Sequence, residues 1–170
     1  MRGGQDPHEC EVCAKMRMRM RSIHLAQGII LAPSKISGYG VFAVKPFLRG
    51  ELIETCPVIV IPASERSDLD KTVLFNYYYE WGGAAALAQG FGSFYNHSYE
   101  PNAAYKKDIS NGVIEVSALR DIEIGEEVTI NYNGAPDSKK PVWFEADSGS
   151  VVSAGVQTTT QSQISSAAGK

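Results

Sequence analysis

The chain predicts a mostly β fold with one helix. Three observations carry that expectation: short β-branched or apolar runs recur through its middle, Gly, Pro, Ser and Asp separate them at close intervals, and a single stretch has helix end signals. The strands expected are Ile29 to Leu31, Val41 to Ala43, Glu51 to Glu54, Val58 to Ile61, Val113 to Ala118 and Val128 to Ile130. Val58-Ile59-Val60-Ile61 is unbroken and bracketed by Pro57 and Pro62, which predicts a strand buried on both faces. The helix is expected over Asp68 to Trp81, because Asp68 and Asp70 suit a helix N-terminus and Gly82-Gly83 would end it.

With 170 residues, 44% of them hydrophobic, the chain has material for one core and one domain. That domain is expected over residues 23–146. Residues 1–22 read as a basic, flexible leader with five Lys/Arg against three Asp/Glu, and residues 147–170 as a disordered tail of Ser, Thr, Gly, Gln and Ala with too little apolar surface to offset ordering. In the leader, His8, Cys10 and Cys13 supply three zinc-type ligands where a structural site needs four, and the remaining cysteine, Cys56, is far away. No metal is expected. Three unevenly placed cysteines do not make a disulfide framework, no apolar run approaches the ~20 residues of a membrane span, and the N-terminus lacks an apolar signal core. A soluble intracellular protein is therefore expected.

Charge narrows the partners. Residues 23–147 hold ten Lys/Arg against sixteen Asp/Glu, a field that repels a phosphate backbone and attracts a basic peptide. Direct nucleic-acid binding is not expected.

Three constellations carry chemistry. Phe94 to Tyr105 crowds amide, imidazole and phenol groups around Pro101-Asn102 without a hydrophobic period, and such groups must find partners or bind something. Gly38-Tyr39-Gly40 runs straight into a strand; it lacks the third glycine and following helix of a dinucleotide fingerprint, and alone reads as a turn. Gly125 to Gly134 reads as an acidic turn, a strand, and Tyr132 at the next turn. Alone, Tyr132 would be a packed strand-end phenol.

Together, in this order, Gly38-Tyr39-Gly40-Val41-Phe42-Ala43, Gly92-Ser93-Phe94-Tyr95-Asn96-His97-Ser98 with Pro101-Asn102, and Gly125-Glu126-Glu127-Val128-Thr129-Ile130-Asn131-Tyr132 resemble the SET-domain protein lysine methyltransferases. The resemblance covers about residues 26–134 and is nearest to the small viral and bacterial members. It implies small curved sheets, one or two short helices, and a threaded, pseudoknot-like junction where the Asn96 segment meets the strand before Tyr132. It implies S-adenosyl-L-methionine as cofactor, held at Gly38, Tyr39, Gly40, Asn96 and His97, with Tyr132 as the active-site phenol that orients the amine. Tyr105 would be a further phenol at the reacting centre and in the lysine channel; Ile130, also expected in the channel, stands where other members place Phe or Tyr. Tyr77, in an aromatic stretch from Leu74 to Trp81, and Tyr39 are further channel expectations.

Two departures matter. Tyr99 stands where many members have a zinc-binding cysteine, and no cysteine follows Cys56, so the zinc-bound module that covers the channel is missing. Pro141-Val142-Trp143-Phe144 is the candidate replacement, with Trp143 folding over the cofactor or channel, because adjacent large aromatics are costly to leave in water. The resemblance makes a lysine in a basic protein, with histone tails leading, the expected substrate. It leaves open a homodimer, and a compartment that is cytoplasmic in a bacterium and nuclear or chromatin-bound otherwise. The alternative is a catalytically silent module that binds a basic peptide.

Overall fold

A computed structural model describes residues 26–146. The leader with His8, Cys10 and Cys13 and the tail from Asp147 lie outside the described residues. Among the described residues nine strands form two sheets: β1 (Ile29–Pro33), β2 (Tyr39–Ala43), β3 (Leu52–Ile61), β4 (Tyr78–Trp81), β5 (Ala84–Ala88), β6 (Asn96–His97), β7 (Ala103–Asp108), β8 (Val113–Ala118) and β9 (Glu127–Ile130). One sheet runs β1-β2-β9-β6 and the other β4-β5-β3-β8-β7. The helices among the described residues are two single turns, α1 (Arg66–Leu69) and α2 (Trp143–Ala146), with 3₁₀ turns at Ala63–Glu65 and Val73–Asn76. The mostly β expectation holds.

The expected helix over Asp68 to Trp81 does not form. Its first part is α1, its middle a 3₁₀ turn capped by the Thr72 side chain, and its last four residues are β4. Gly82 and Gly83 both take positive φ, 58° and 91°, and join β4 to β5 as a hairpin rather than ending a helix. Paired left-handed residues give the turn whose twist matches two antiparallel strands. β-Branched Thr72 and Val73 and the aromatic run after them favour this outcome.

Glu51 to Glu54 and Val58 to Ile61 are one strand, not two. β3 pairs with β8 from Leu52 to Pro57 and with β5 from Val58 to Ile61, so Pro57, which has no N–H to give, sits where the pairing changes sides. Its second half is not buried on both faces as expected: Ile59 is 55% and Val60 48% exposed, because β8 ends opposite Pro57 and leaves this half without a neighbour on that side. In the first half Ile53, Glu54 and Cys56 are buried, and a register shift between Leu52 and Glu54 puts the adjacent Ile53 and Glu54 both inside.

The core gathers Val41, Phe47, Cys56, Ile114, Val116, Ile122, Val128 and Ile130 between the sheets. Phe47 and Ile122 exchange both backbone hydrogen bonds, at 3.0 and 2.9 Å, and so tie the link after β2 to the link before β9. Each large side chain buried there contributes roughly 1.5–3 kcal/mol. That core fixes β9, whose Thr129 and Ile130 pair in parallel with Asn96 and His97 of β6. This parallel pairing brings the two motifs together from 33 residues apart. Among the described residues no helix is long and apolar enough to cross a membrane.

Candidate active site

Tyr132 leaves β9 two residues beyond its end and is held at both ends. Its N–H donates to His97 Nδ1 at 3.2 Å, and its hydroxyl donates to the Tyr95 carbonyl at 2.9 Å. The register of β6 against β9 makes both contacts follow from backbone pairing, since Tyr95 and His97 flank Asn96. Burial, with smaller contributions from Tyr77 and Glu127, pushes the Tyr132 phenol up to about 12, so it keeps its proton at neutral pH.

Beside it lies a cavity of about 410 Å³ walled by Tyr77, Tyr79, Tyr105, Tyr132 and Trp143, with Glu80 and Lys107 at its polar part. The ends of the five-stranded sheet close one side of it: Tyr79 of β4 and Tyr105 of β7 meet edge to face at 5.0 Å, and Lys107 donates to the Glu80 carbonyl at 2.8 Å. Three wall phenols have committed their protons to backbone carbonyls. Tyr79 donates to Gly92 at 2.6 Å, Tyr105 to Tyr132 at 3.3 Å, and Tyr132 to Tyr95. Burial also raises Tyr79 and Tyr105, Tyr79 the more strongly. The wall therefore presents ring faces and oxygen lone pairs to anything inside.

A second polar cluster adjoins His97. Asn96, buried on β6, directs its amide nitrogen at the carbonyls of Ser37 and Tyr39, each at 3.2 Å, and at Glu127 Oε1 at 2.7 Å. Glu127 also accepts from the Ser34 hydroxyl at 2.9 and 2.8 Å. Gly40 permits this approach, because a Cβ there would lie 2.1 Å from Glu127 Oε1 and 3.0 Å from the Asn96 amide nitrogen. Gly38 takes φ +45° in the turn, with open space where a Cβ would be.

α2 covers Tyr132. The Trp143 indole lies nearly flat on the Tyr132 ring, at 5.5 Å and 13°, while its Nε1 donates to Asn76 Oδ1 at 3.1 Å. Phe144 meets His97 and Tyr132 edge-on at 6.1 and 6.3 Å. The approach to α2 is strapped down by side-chain amides: Asn131 donates to the carbonyls of Ser138 at 2.7 Å and Pro136 at 3.3 Å, and Asn133 to that of Lys140 at 2.8 Å. Tyr99 donates to the Lys140 carbonyl at 3.3 Å. Among the described residues no group of three metal-binding side chains converges.

With this geometry in place, the comparison with known families is specific: the model of the SET domain matches residues 38–133. The chain belongs to the SET-domain family. It is similar to the histone-lysine N-methyltransferase, H3 lysine-37 specific, of Schizosaccharomyces pombe, at 37% identity over 66% of this chain and 74% of that protein. Its fold resembles the crystal structure of a candidate histone methyltransferase of Plasmodium falciparum, with TM-score 0.55 and 32% identity, over 64% of this chain and 96% of that one. It also resembles, in fold alone, a chain of the Polycomb Repressive Complex 2 of Chaetomium thermophilum, a complex solved in an autoinhibited conformation with S-adenosylmethionine. There the TM-score is 0.53 at 22% identity, over 63% of this chain and 15% of that one. This is a family of protein-lysine methyltransferases, and its methyltransferases use S-adenosylmethionine.

In this SET domain the expected site residues fall into two groups that meet at Tyr132. Tyr77, Tyr105, Tyr132 and Trp143 line the cavity. Gly40, Asn96 and the Tyr39 carbonyl form the polar cluster, with His97 between the groups. Two residues expected in the channel lie elsewhere: Ile130 is fully buried in the core, and the Tyr39 side chain is 51% exposed away from the cavity wall. Tyr79, Asn76, Glu127 and Asn131 went unassigned in the sequence. Tyr79 was legible only if Tyr78–Trp81 is read as a strand, which turns Tyr79 and Trp81 to one face. Glu127 and Asn131 carry no local signal beyond their place in the motif.

Proposed function

We propose that this SET domain methylates a lysine side chain in a basic protein, with histone-like proteins as the leading substrate class and S-adenosyl-L-methionine as methyl donor. The observation that carries the reading is the Tyr132 phenol, fixed by His97 and Tyr95 at the edge of a cavity walled by tyrosines. S-adenosylmethionine, when bound, supplies an electrophilic methyl group; the remaining work belongs to residues of this chain.

A lysine amine has an ordinary pKa near 10.4 and must be neutral to act as nucleophile. Aromatic walls desolvate it, which favours the neutral form, and the proton leaves to water. Because Tyr79, Tyr105 and Tyr132 have given their protons to carbonyls, none of them donates to the amine's lone pair, and their oxygens accept its N–H groups instead. Tyr132 orients the amine rather than deprotonating it, since a phenol pushed up to about 12 holds its proton. Asn96 commits its donors to the protein, which leaves acceptor chemistry at this cluster for the cofactor's cationic amino group. The flat faces around His97, Phe144 and Trp143 suit its adenine. These acceptor and ring sets fit the cofactor, and the acidic body suits a basic segment around the target lysine.

The test is incubation of the full chain with methyl-labelled S-adenosylmethionine and core histones or other basic proteins, followed by peptide mass spectrometry. Methylated lysine is expected. No transfer, or transfer confined to other residue types, would overturn the reading.

A further inference from the structure

Glu54 is a carboxylic acid in an otherwise apolar stretch of β3, 3% exposed, and nothing in the methyl-transfer reading uses it. Its two oxygens have separate tasks. Oε1 accepts from the Phe91 N–H at 2.9 Å, and Oε2 accepts from the Tyr95 hydroxyl at 2.9 Å. Gly90, at φ +69°, makes room for it, since a Cβ there would lie 2.3 Å from Oε1. Burial, followed by Glu54, pushes the neighbouring Cys56 thiol up, so it stays protonated. From β3, therefore, one buried carboxyl group grips both ends of the segment 91–95, whose last carbonyl accepts the Tyr132 hydroxyl.

We infer that Glu54 and Tyr95 form a positioning pair for Tyr132: the Glu54–Tyr95 hydrogen bond fixes the Tyr95 backbone, and that backbone fixes the phenol at the cavity. Neither Glu54 nor the Tyr95 hydroxyl need touch substrate. The Tyr95 ring is 2% exposed, so its hydroxyl has no water to turn to, and without its partner the ring and its own carbonyl must resettle. A small displacement of Tyr132 is enough to matter, because the geometry of a transferring group tolerates little error. The inference rests on the proposed role of Tyr132 for its kinetic arm only.

Tyr95→Phe removes the hydroxyl and keeps the ring. Two readings follow in the full chain: the carbon resonance of the Tyr132 phenol in ring-labelled protein, assigned by its loss in Tyr132→Phe, and the kcat and KM of methyl transfer. The Tyr132 resonance is expected to shift, and kcat to fall about tenfold with KM for peptide and cofactor changed less than about twofold. Glu54→Gln can still accept from Phe91 but turns its amide N–H groups to the Tyr95 oxygen and leaves the buried Tyr95 O–H without its acceptor, so it is expected to move both readings in the same direction as Tyr95→Phe. Should Tyr95→Phe fail to fold, Glu54→Asp withdraws the carboxyl group by one methylene and carries the same expectation. An unmoved resonance or an unchanged kcat in the folded Tyr95→Phe or Glu54→Asp variant, or wild-type values of both readings in Glu54→Gln, overturns the pair. If the wild type transfers no methyl group at all, the proposed function fails while the resonance still decides this inference.

Discussion

Trp143 and Tyr132 stack at 5.5 Å and 13°, and the indole N–H is anchored on Asn76. Trp143 thus joins the last described helix to Tyr132, two residues past β9, and to the 3₁₀ turn before β4. Trp143 is 37% exposed, so it serves as a cover more than as core. Trp143→Ala is expected to cost little global stability but to weaken the covered state by about 1 kcal/mol, the order of an aromatic pair, and so to raise KM for peptide or cofactor roughly fivefold. Steady-state kinetics beside a thermal melt check this. A fall in Tm with unchanged KM would mean that the stack serves only the fold.

Gly40 should be intolerant for a local reason. Gly40→Ala places a methyl where Glu127 Oε1 and the Asn96 amide now meet, and the Glu127 side chain must swing away from both Asn96 and Ser34. Cofactor binding by calorimetry is expected to weaken at least tenfold, the loss of about 1.5 kcal/mol that one charge-assisted hydrogen bond represents. Far-UV circular dichroism should remain that of the wild type.

Asn131 holds the approach to α2 by donating to two carbonyls. Asn131→Asp keeps the shape and removes both donors, facing a carboxylate to carbonyl oxygens. An expected cost of about 1–3 kcal/mol in denaturant unfolding follows from setting a carboxylate against part-buried carbonyls that lose their donor. Tryptophan fluorescence should also report a loosened Trp143.

Acid stability has an identifiable contributor. The Arg120 guanidinium, with Asn102 and the Glu123 N–H, holds the Glu126 carboxyl near 2, below its ordinary 4.5. A depressed carboxyl pKa stabilises the fold above the unfolded value and loses that contribution as pH falls through the folded one. Wild-type stability should therefore decline between about pH 4.5 and 2, and Glu126→Gln should show a shallower decline in that window. Equal slopes in the two proteins would remove Glu126 from acid unfolding.

The motifs were legible where they rest on chemistry that tolerates few substitutes. Gly40 had to lack a Cβ, and Asn96, His97 and Tyr132 come together through one parallel pairing of β6 with β9. The stretch from Asp68 to Ala88 was not legible, because acidic residues before an aromatic run suit a helix start locally. Only the Gly82-Gly83 turn and the pairing with β5 make its end a strand. Exposure of Ile59 and Val60 depends on where β8 stops, a tertiary fact absent from their own apolar run. Glu54 drew no reading beyond the end of the expected strand Glu51 to Glu54, because its partner Tyr95 lies 41 residues away.

The most direct measurement is single-turnover methyl transfer by wild type and Tyr132→Phe, with cofactor affinity measured in parallel. With Tyr132 orienting the amine, the substitution is expected to slow transfer about 100-fold or more while cofactor affinity stays within about threefold. Transfer at the wild-type rate by Tyr132→Phe would contradict the role assigned to this residue.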